Sequence, residues 1–456
     1  MQSRDDIEAA RAVADSPQPD ALAKRLSLSA SSDPFSREVA LDVDGYFRAL
    51  RRERPVCPIA HDSLVLVSRY EDVSAMLRDN KTYANKDRDG IGRDALKMVG
   101  LVPTDPEVLR ALGGGPLVHD TLIRSDAPDH ARQRKVVSRW FTPRSINEKW
   151  RSIIAEIASE LFDSDAVQGE FDAMDALAVP LPIHTIARIL GVPQERRKDF
   201  KRWSDAFVAS LGRRLDTAQW LAKIESQHEM GIYFLDELND RKENPRDDLL
   251  TLLAGFATTE DLDEARRDGS ITVLEALDMV KQILVAGNET TTQLLAVITE
   301  QVIAHPQLLD QVRADPSIAP RIVEEALRIG SPVRGLFRFA ASSSSVGHVD
   351  VQHGKWLVPL YASANRDEAM FEEPEKFRPD RANINQHVAF GLGPHFCLGA
   401  YLARAEALTF VTELAQRFDR LESGASDEHD DQGSFMMRGR RRLMIRALPR
   451  QSDTPP

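Results

Sequence analysis

The segment from Thr272 to about His305 carries the longest helical pattern in the sequence. The Thr272 hydroxyl can cap the first turn, Glu275 three residues later completes a capping box, and Pro306 stops the helix. At roughly 1.5 Å per residue, such a helix is about 50 Å long and can cross a whole molecule. Because it is apolar on most faces, we expect it to be buried in a mostly helical protein.

The middle of this helix has a sequence that is poorly suited to a helix. It reads AGNETTT over residues 286–292. Gly287 costs roughly 1 kcal/mol relative to alanine, and consecutive threonines are weak helix formers. A buried Glu289 adds a desolvation cost unless it is paired. Local propensity conflicts here with the global pattern, and such conflicts tend to mark functional sites.

Strand-like patterns are fewer and lie towards both ends of the chain, at residues 63–70, 349–360 and 441–448. His353-Gly354 is a predicted turn within the second of them. The sequence therefore predicts a mainly α fold with small β-sheets, an α+β architecture in which both ends of the chain belong to one fold.

We expect a single domain over residues 33–448, with a flexible N-terminal arm at 1–32 and a C-terminal tail at 449–456. The arm is charged and rich in alanine and serine, without the apolar segment of a signal peptide. No window approaches the roughly 18 apolar residues of a membrane-spanning helix. Two cysteines, Cys57 and Cys397, indicate a reducing compartment, so we expect a cytoplasmic protein.

The net charge of −12 argues against general binding to nucleic acid or to an anionic membrane. We therefore expect neither as a partner, and we expect a monomer.

One of the two cysteines lies in the turn-rich stretch FGLGPHFCLG, residues 390–399. Cys397 could be a buried small hydrophobe, a zinc ligand, or a thiolate ligand of iron. Zinc is disfavoured because only His395 is near and the chain has no CxxC. A thiolate is favoured by the start of a predicted helix near Leu398. Gly399 leaves room for a large flat group against the backbone.

This stretch resembles the cysteine-ligand loop of the cytochrome P-450 family, Phe-x-x-Gly-x-x-x-Cys-x-Gly, filled by Phe390, Gly393, Cys397 and Gly399. Other segments resemble the family in the expected order: DAPDHARQR, AGNETT, EALR, NRDEAMFEEP, FRPDR and CLGAYLAR. The resemblance implies the P-450 fold, with the long central helix over haem b. It also implies that Cys397 is the proximal iron ligand, with Phe390 packed near the sulfur.

The resemblance further implies how the haem is held. Haem carries two propionates, which need cations or strong hydrogen-bond donors. His130 and Arg134, spaced i and i+4 on one helix face, would bind them together with Arg338 and His395. The remaining implied cofactor contacts come from the cysteine loop and the central helix: Phe390, Gly393, Gly399, Ala286 and Gly287.

Thr290 and Glu289 lie where the family keeps a catalytic alcohol and acid. The Thr290 hydroxyl can bond the carbonyl of Ala286 and bend the helix, which with Gly287 would open a groove for dioxygen. Thr290 would hold a water, and Glu289 would feed protons from solvent.

Glu325, Arg328 and Arg381 are implied to form a structural network rather than a catalytic one. The first two are an i,i+3 pair on a helix, and Arg381 would complete a partly buried cluster that locks the haem-binding core.

The expected activity is that of a haem-thiolate monooxygenase, which inserts one oxygen atom from O2 into a hydrophobic small molecule by hydroxylation or epoxidation. The resemblance places the pocket at 87–119, near Phe207, and at 283–290, 333–337 and 435–437, and the first segment is a candidate lid. Arg334 could anchor a substrate carboxylate or face solvent.

The sequence has no GxGxxG before a helix and no cysteine cluster, so electrons must come from a separate ferredoxin or flavodoxin. Three alternatives stay open. They are a peroxide-dependent haem-thiolate enzyme, a non-catalytic haem-binding sensor or carrier, and a helical protein without haem.

Overall fold

The computed structural model describes residues 28–59, 61–87, 90–113, 120–425 and 434–450. Most of the predicted arm, the tail after residue 450, and residues 88–89 and 114–119 of the predicted lid lie outside the described residues. The prediction of one domain over 33–448 stays a prediction.

The chain folds mainly into helices. The longer ones are α1 (Val43–Glu53), α2 (Tyr70–Arg78), α3 (Asp129–Ser138), α4 (Arg151–Phe162), α5 (Pro180–Leu190), α6 (Arg197–Val208), α7 (Thr217–Glu243), α8 (Leu249–Phe256), α9 (Val273–Ala304), α10 (Gln307–Ala314), α11 (Ala319–Gly330) and α12 (Ala400–Arg417). Shorter helices span Arg37–Leu41, Arg93–Met98, Pro106–Ala111, Pro143–Ser145, Leu262–Asp268 and Tyr361–Ala364.

The strands of the described residues are short and lie in four small sheets. They are β1 (Val56–Ile59), β2 (Leu64–Val67), β3 (Tyr83–Ala84), β4 (Glu170–Asp172), β5 (Ala257–Thr259), β6 (Ile271–Thr272), β7 (Arg338–Ala340), β8 (Ser344–Val346), β9 (Val349–Val351), β10 (Trp356–Pro359), β11 (Phe418–Ser423) and β12 (Met444–Pro449). The largest sheet has the order β1-β2-β10-β7-β3, and a second has the order β11-β12-β4.

Strands from distant parts of the chain pair with one another, as the sequence predicts. Strand β10 runs parallel to β2, with Trp356 opposite Leu64, and antiparallel to β7. Strand β12 pairs with β4, with Ile445 opposite Phe171. The predicted turn at His353-Gly354 is present, and Gly354 has φ +89°. That turn does not join a hairpin, because β9 pairs with β8 while β10 joins the large sheet.

The central helix α9 confirms the prediction made from its ends. The Thr272 hydroxyl accepts from the N–H of Glu275 at 3.1 Å, and a Glu275 carboxylate oxygen accepts from the N–H of Thr272 at 2.8 Å. The helix is continuous over 32 residues and ends at Ala304, just before His305 and Pro306. It packs against α5, α11 and α12 inside the largest hydrophobic cluster. Across the described ranges, no helix is long and apolar enough to cross a membrane.

Candidate active site

The loop that carries Cys397 is a tight turn packed against the end of α2. A 3-10 turn at Gly393–His395 precedes the cysteine, and Gly393 has φ +69°, which favours glycine. A Cβ on Gly393 would lie 2.6 Å from the carbonyl oxygen of Leu77. The N–H of Cys397 donates to the carbonyl oxygen of Phe390 at 2.9 Å. Gly393 therefore serves loop packing and does not line the cavity, which corrects its predicted role as a cofactor contact.

Cys397 lies just before α12, which begins two residues later than predicted, at Ala400. Burial raises the pKa of the Cys397 thiol, while the N–H of Gly399 and the charges of Arg134 and Arg404 act in the opposite direction. The helix end alone thus does not secure a thiolate, contrary to the expectation from sequence. A metal cation bound at the sulfur would supply the missing stabilisation, because it is the deprotonated thiol that binds metals.

A cavity of ≈ 320 Å³ separates this loop from the middle of α9. It brings together most of the residues that the sequence predicted for the site: His130, Arg134, Ala286, Gly287, Glu289, Thr290, Arg338, Phe390, His395, Cys397 and Gly399. A wider groove of ≈ 590 Å³ beside Phe162 and Arg417 contains none of them. We take the ≈ 320 Å³ cavity as the candidate active site because the predicted residues converge there, although the groove has the larger volume.

Four basic side chains line one side of the cavity. The rings of His130 and His395 stack with centroids 3.9 Å apart. Arg134 donates to the carbonyl oxygen of Phe396 at 2.7 Å, and Arg338 donates to that of Phe337 at 2.8 Å.

The two stacked histidines are neutral at pH 7. Burial, reinforced by the charge of Arg134, lowers the pKa of His130 to about 4. Burial and the nearby His130, Arg338 and Arg134 lower the pKa of His395 to about 2. The positive charge of this group therefore comes from its two arginines.

These residues fit an anionic, flat iron cofactor. The buried Nε2 of His395 has no hydrogen-bond partner among the described residues, so a ligand oxygen would satisfy it. Two arginines on the same side match a pair of carboxylates. Within the described structure, no heavy atom beyond Gly399 and its two chain neighbours lies within 4 Å of the position that a Cβ on Gly399 would take, so this side of the loop is open.

The opposite wall is the middle of α9. The Thr290 hydroxyl donates to the carbonyl oxygen of Ala286 at 2.8 Å, as predicted from the i, i−4 spacing. The helix is nevertheless unbroken at this point. A Cβ on Gly287 would lie 3.0 Å from two side-chain carbons of Ile186. Gly287 thus also permits close packing of α9 against α5, a reason that the sequence did not suggest.

Glu289 is buried and paired. Its carboxylate accepts from the Lys201 ammonium at 3.1 Å, and Lys201 also contacts Asp205. Burial raises the pKa of Glu289 to about 7, against the opposing charge of Lys201. Lys201 was not predicted from the sequence. Its i,i+4 pairing with Asp205 on α6 is readable from spacing, but its contact with Glu289 is made across the fold.

A second buried acid, Glu406 on α12, was not predicted either. It lines the cavity, is 1% exposed, and neither carboxyl oxygen has a hydrogen-bond partner among the described residues. Burial raises the pKa of Glu406 to about 8, and the nearby hydroxyls of Thr185 and Thr291 act in the opposite direction. Glu406 is therefore protonated at neutral pH. A glutamate on an apolar helix face was the only available signal.

The predicted structural network is present. Arg328 makes two bonds to the Glu325 carboxylate, at 2.8 and 2.7 Å, and Arg381 makes a third at 2.9 Å. All three side chains are buried. Arg328 also donates to the carbonyl oxygens of Asn365 and Pro374. The network thus ties α11 to the segment that leads to the cysteine loop.

Two expectations about the pocket are wrong. Arg334 neither faces solvent nor lines the cavity, because its guanidinium donates to the carbonyl oxygens of Ser434 and Met437. The described residues of 87–119 do not line the cavity either, and Leu122 and Ile123, just after that segment, do.

Comparisons with known proteins agree with this geometry. The family model described as Cytochrome P450 matches residues 183–445. Cytochrome P450 107B1 of Saccharopolyspora erythraea is 35% identical over 387 residues, which are 84% of this chain and 88% of that protein. The 6-deoxyerythronolide B hydroxylase of the same organism is 31% identical over 411 residues, covering 89% of this chain and 96% of that protein.

The fold is shared with solved structures as well. The structure of CYP109E1 from Bacillus megaterium in complex with testosterone matches with a TM-score of 0.75 and 29% identity, covering 90% of this chain and 99% of that chain. The activity follows from relatives that are named as hydroxylases and monooxygenases. The chain belongs to the cytochrome P450 family and is a haem-dependent monooxygenase.

Proposed function

We propose that this monooxygenase binds haem b through the Cys397 thiolate and inserts one oxygen atom from O2 into a neutral hydrophobic small molecule, by hydroxylation or epoxidation. One observation carries the proposal. A single cavity has the cysteine on one wall, the acid and alcohol Glu289 and Thr290 on the other, and an apolar space beside them.

The bound haem supplies the redox chemistry that reduces dioxygen. The chain's own residues hold and orient that group. Arg134 and Arg338 provide the charges for its carboxylates, and the imidazoles of His130 and His395 provide N–H donors. Cys397 provides the sulfur, on a loop whose shape is fixed by Gly393 packing against Leu77.

Reduction of dioxygen also requires protons on the distal side of the cavity. The Thr290 hydroxyl donates its hydrogen bond to the carbonyl oxygen of Ala286, so the hydroxyl oxygen remains free to accept a hydrogen bond from a water. Glu289 has a pKa near neutrality, which suits a residue that takes up and releases a proton. Lys201 and Asp205 extend from Glu289 towards the surface, with side chains 29% and 41% exposed, and this is the route by which protons arrive.

The substrate space is apolar. It is lined by Leu122, Ile123, Phe207, Val208, Leu211, Ile283, Val333, Leu336 and Met437. Gln282 lies at its edge, but its amide is engaged with Thr121 and Ile123. Among the described residues, every charged group of the cavity belongs to the proposed haem contacts or to the acids Glu289 and Glu406. Recognition by shape and burial of apolar surface therefore favours a neutral ligand.

The relatives suggest how large that ligand is. One is named as a hydroxylase of 6-deoxyerythronolide B, another as a steroid C26-monooxygenase, and a similar fold was solved with testosterone. We therefore propose that this chain also acts on a rigid hydrophobic substrate of comparable bulk.

Electrons come from a separate ferredoxin or flavodoxin that docks on the Cys397 side. The chain has only two cysteines, Cys57 and Cys397, which is too few to hold an iron–sulfur cluster of its own.

The test has two steps. A panel of hydrophobic compounds is first screened for those that shift the haem spectrum from low spin to high spin, and product formation is then measured with the compounds that bind. We expect oxygenated product with NADPH, ferredoxin reductase, ferredoxin and dioxygen together, and little with hydrogen peroxide alone. Equal turnover with peroxide alone would show a peroxide-dependent enzyme. Spectral binding without any product would show a sensor or carrier.

A further inference from the structure

A cluster of charged side chains behind the cysteine loop has no part in the function described so far. Arg404 on α12 donates to both oxygens of Glu324 on α11, at 2.6 and 2.9 Å. His387 Nε2 lies 2.9 Å from the same carboxylate. Burial works against ionisation of Glu324, but the bonds from Arg404 and His387 outweigh it and lower its pKa to about 2. We call Glu324, His387 and Arg404 the proximal clamp.

Hydrogen bonds fix the form of the histidine. The N–H of Ala389 donates to His387 Nδ1 at 3.2 Å, so that nitrogen is an acceptor and the proton sits on Nε2. Nε2 then donates to Glu324. The clamp therefore consists of an arginine and an imidazole that both donate to one glutamate carboxylate.

The clamp reaches the cysteine through Phe390. The Arg404 guanidinium stacks on the Phe390 ring, 4.5 Å from its centroid. The carbonyl of Phe390 accepts the N–H of Cys397. Arg404 also lies near the start of α12, which begins three residues after Cys397, so it brings a positive charge to the cysteine end of that helix. One residue thus both contacts the aromatic ring of the loop and carries a positive charge at the end of α12 nearest Cys397.

We propose that Arg404, fixed by Glu324 and His387, is a positioning residue that sets the reduction potential of the haem by holding Phe390 and by charge stabilisation of the Cys397 sulfur. The inference rests on the proposed function, in which that sulfur ligates haem.

The charges predict opposite effects for the two ends of the ion pair. Reduction adds an electron to the haem–thiolate unit, so a nearby cation favours the reduced form and an anion opposes it. Arg404→Gln removes the cation and lowers the potential. Glu324→Gln removes the anion, leaves Arg404 uncompensated, and raises the potential. A clamp that acted only by holding the loop in place would give shifts of the same sign, because both substitutions break the same ion pair.

The experiment is a spectroelectrochemical redox titration of the haem-loaded protein. We expect each substitution to change the reduction equilibrium constant at least threefold, in opposite directions, which is about 28 mV for one electron. The reduction potential of the double variant should lie between those of the two single variants. Arg417→Gln is the matched control, because Arg417 forms an ion pair with Glu413 at the far end of the same helix.

Arg404→Lys keeps the inference testable if Arg404→Gln loads haem poorly. Arg404→Lys retains the cation. Its reduction potential should therefore differ from that of the parent by no more than half of the shift predicted for Arg404→Gln. Shifts of one sign, or shifts no larger than that of Arg417→Gln, would overturn the inference. Failure of the parent protein to give a thiolate-type carbonyl spectrum would instead overturn the proposed function.

Discussion

At the scale of single residues, the cavity contains two buried acids with different partners. Glu289 accepts a hydrogen bond from Lys201, whose side chain is 29% exposed, while neither carboxyl oxygen of Glu406 has a hydrogen-bond partner among the described residues. Thr290 stands next to Glu289, with its proton already donated within the helix. Thr290 and Glu406 can be tested separately, because each has a comparable residue elsewhere on the same helix or on a neighbouring one.

Thr290→Ala should retain haem and substrate binding but divert electrons to hydrogen peroxide. The substitution removes the hydroxyl that we propose holds a water, so we expect product formed per NADPH consumed to fall by roughly tenfold or more. Thr299→Ala is the control, since Thr299 makes the same i, i−4 bond to Leu295 on α9 away from the cavity. Unchanged coupling in the Thr290 variant would contradict the assignment.

Glu406→Gln should change how stability depends on pH. The folded protein keeps the Glu406 proton up to about pH 8, whereas the unfolded chain loses it near the ordinary glutamate pKa of 4.5. The stability from this proton is therefore present at low pH and is lost as pH rises towards 8, by up to about 1.4 kcal/mol per pH unit. The glutamine variant escapes this loss, so its advantage in thermal midpoint should grow between pH 5 and pH 8.

The control for that measurement is Glu160→Gln, an exposed glutamate on α4. The difference in thermal midpoint between Glu160→Gln and the parent should be the same at pH 5 and at pH 8. A Glu406 variant whose difference in thermal midpoint also stays constant would mean that the Glu406 carboxyl is ionised in the folded protein.

At the scale of elements, sequence reasoning succeeded where the cause is local. The capping box at Thr272 and the stop at Pro306 depend on neighbours within a turn, and both were predicted correctly. The close packing of Gly287 against Ile186 and the pairing of Lys201 with Glu289 depend on helices that meet only after folding. Sequence spacing contains no signal for such contacts.

The Glu325–Arg328–Arg381 network belongs to this scale, because it joins α11 to the segment before the cysteine loop. Arg381→Ala should destabilise the protein by about 3–5 kcal/mol, since it leaves a buried Glu325 carboxylate short of a partner. Thermal unfolding and haem content after purification both report the loss.

Arg378→Ala provides the comparison, three residues earlier in the same segment. Its ion pairs with Glu373 and Asp380 are partly exposed, so its effect on stability should be much smaller than that of Arg381→Ala. Equal effects of the two substitutions would mean that the network does not lock the core.

At the scale of the whole molecule, the fold brings α9 and the cysteine loop to opposite walls of one cavity, although they lie about a hundred residues apart in sequence. The family resemblance predicted this arrangement correctly. It misplaced the polar pocket residue Arg334, whose guanidinium ties two distant backbone segments together. Composition and periodicity alone would have predicted only a large helical protein with small sheets.

The account depends most directly on Cys397, and one measurement tests it. The purified protein, loaded with haem, is reduced and exposed to carbon monoxide, and the difference spectrum is recorded beside those of Cys397→Ser and Cys57→Ser. We expect the strongly red-shifted band of thiolate ligation in the parent and in the Cys57 variant, whose buried cysteine lies in β1, and its loss in the Cys397 variant. A parent without that band, or a Cys397→Ser variant that keeps it, would contradict the account.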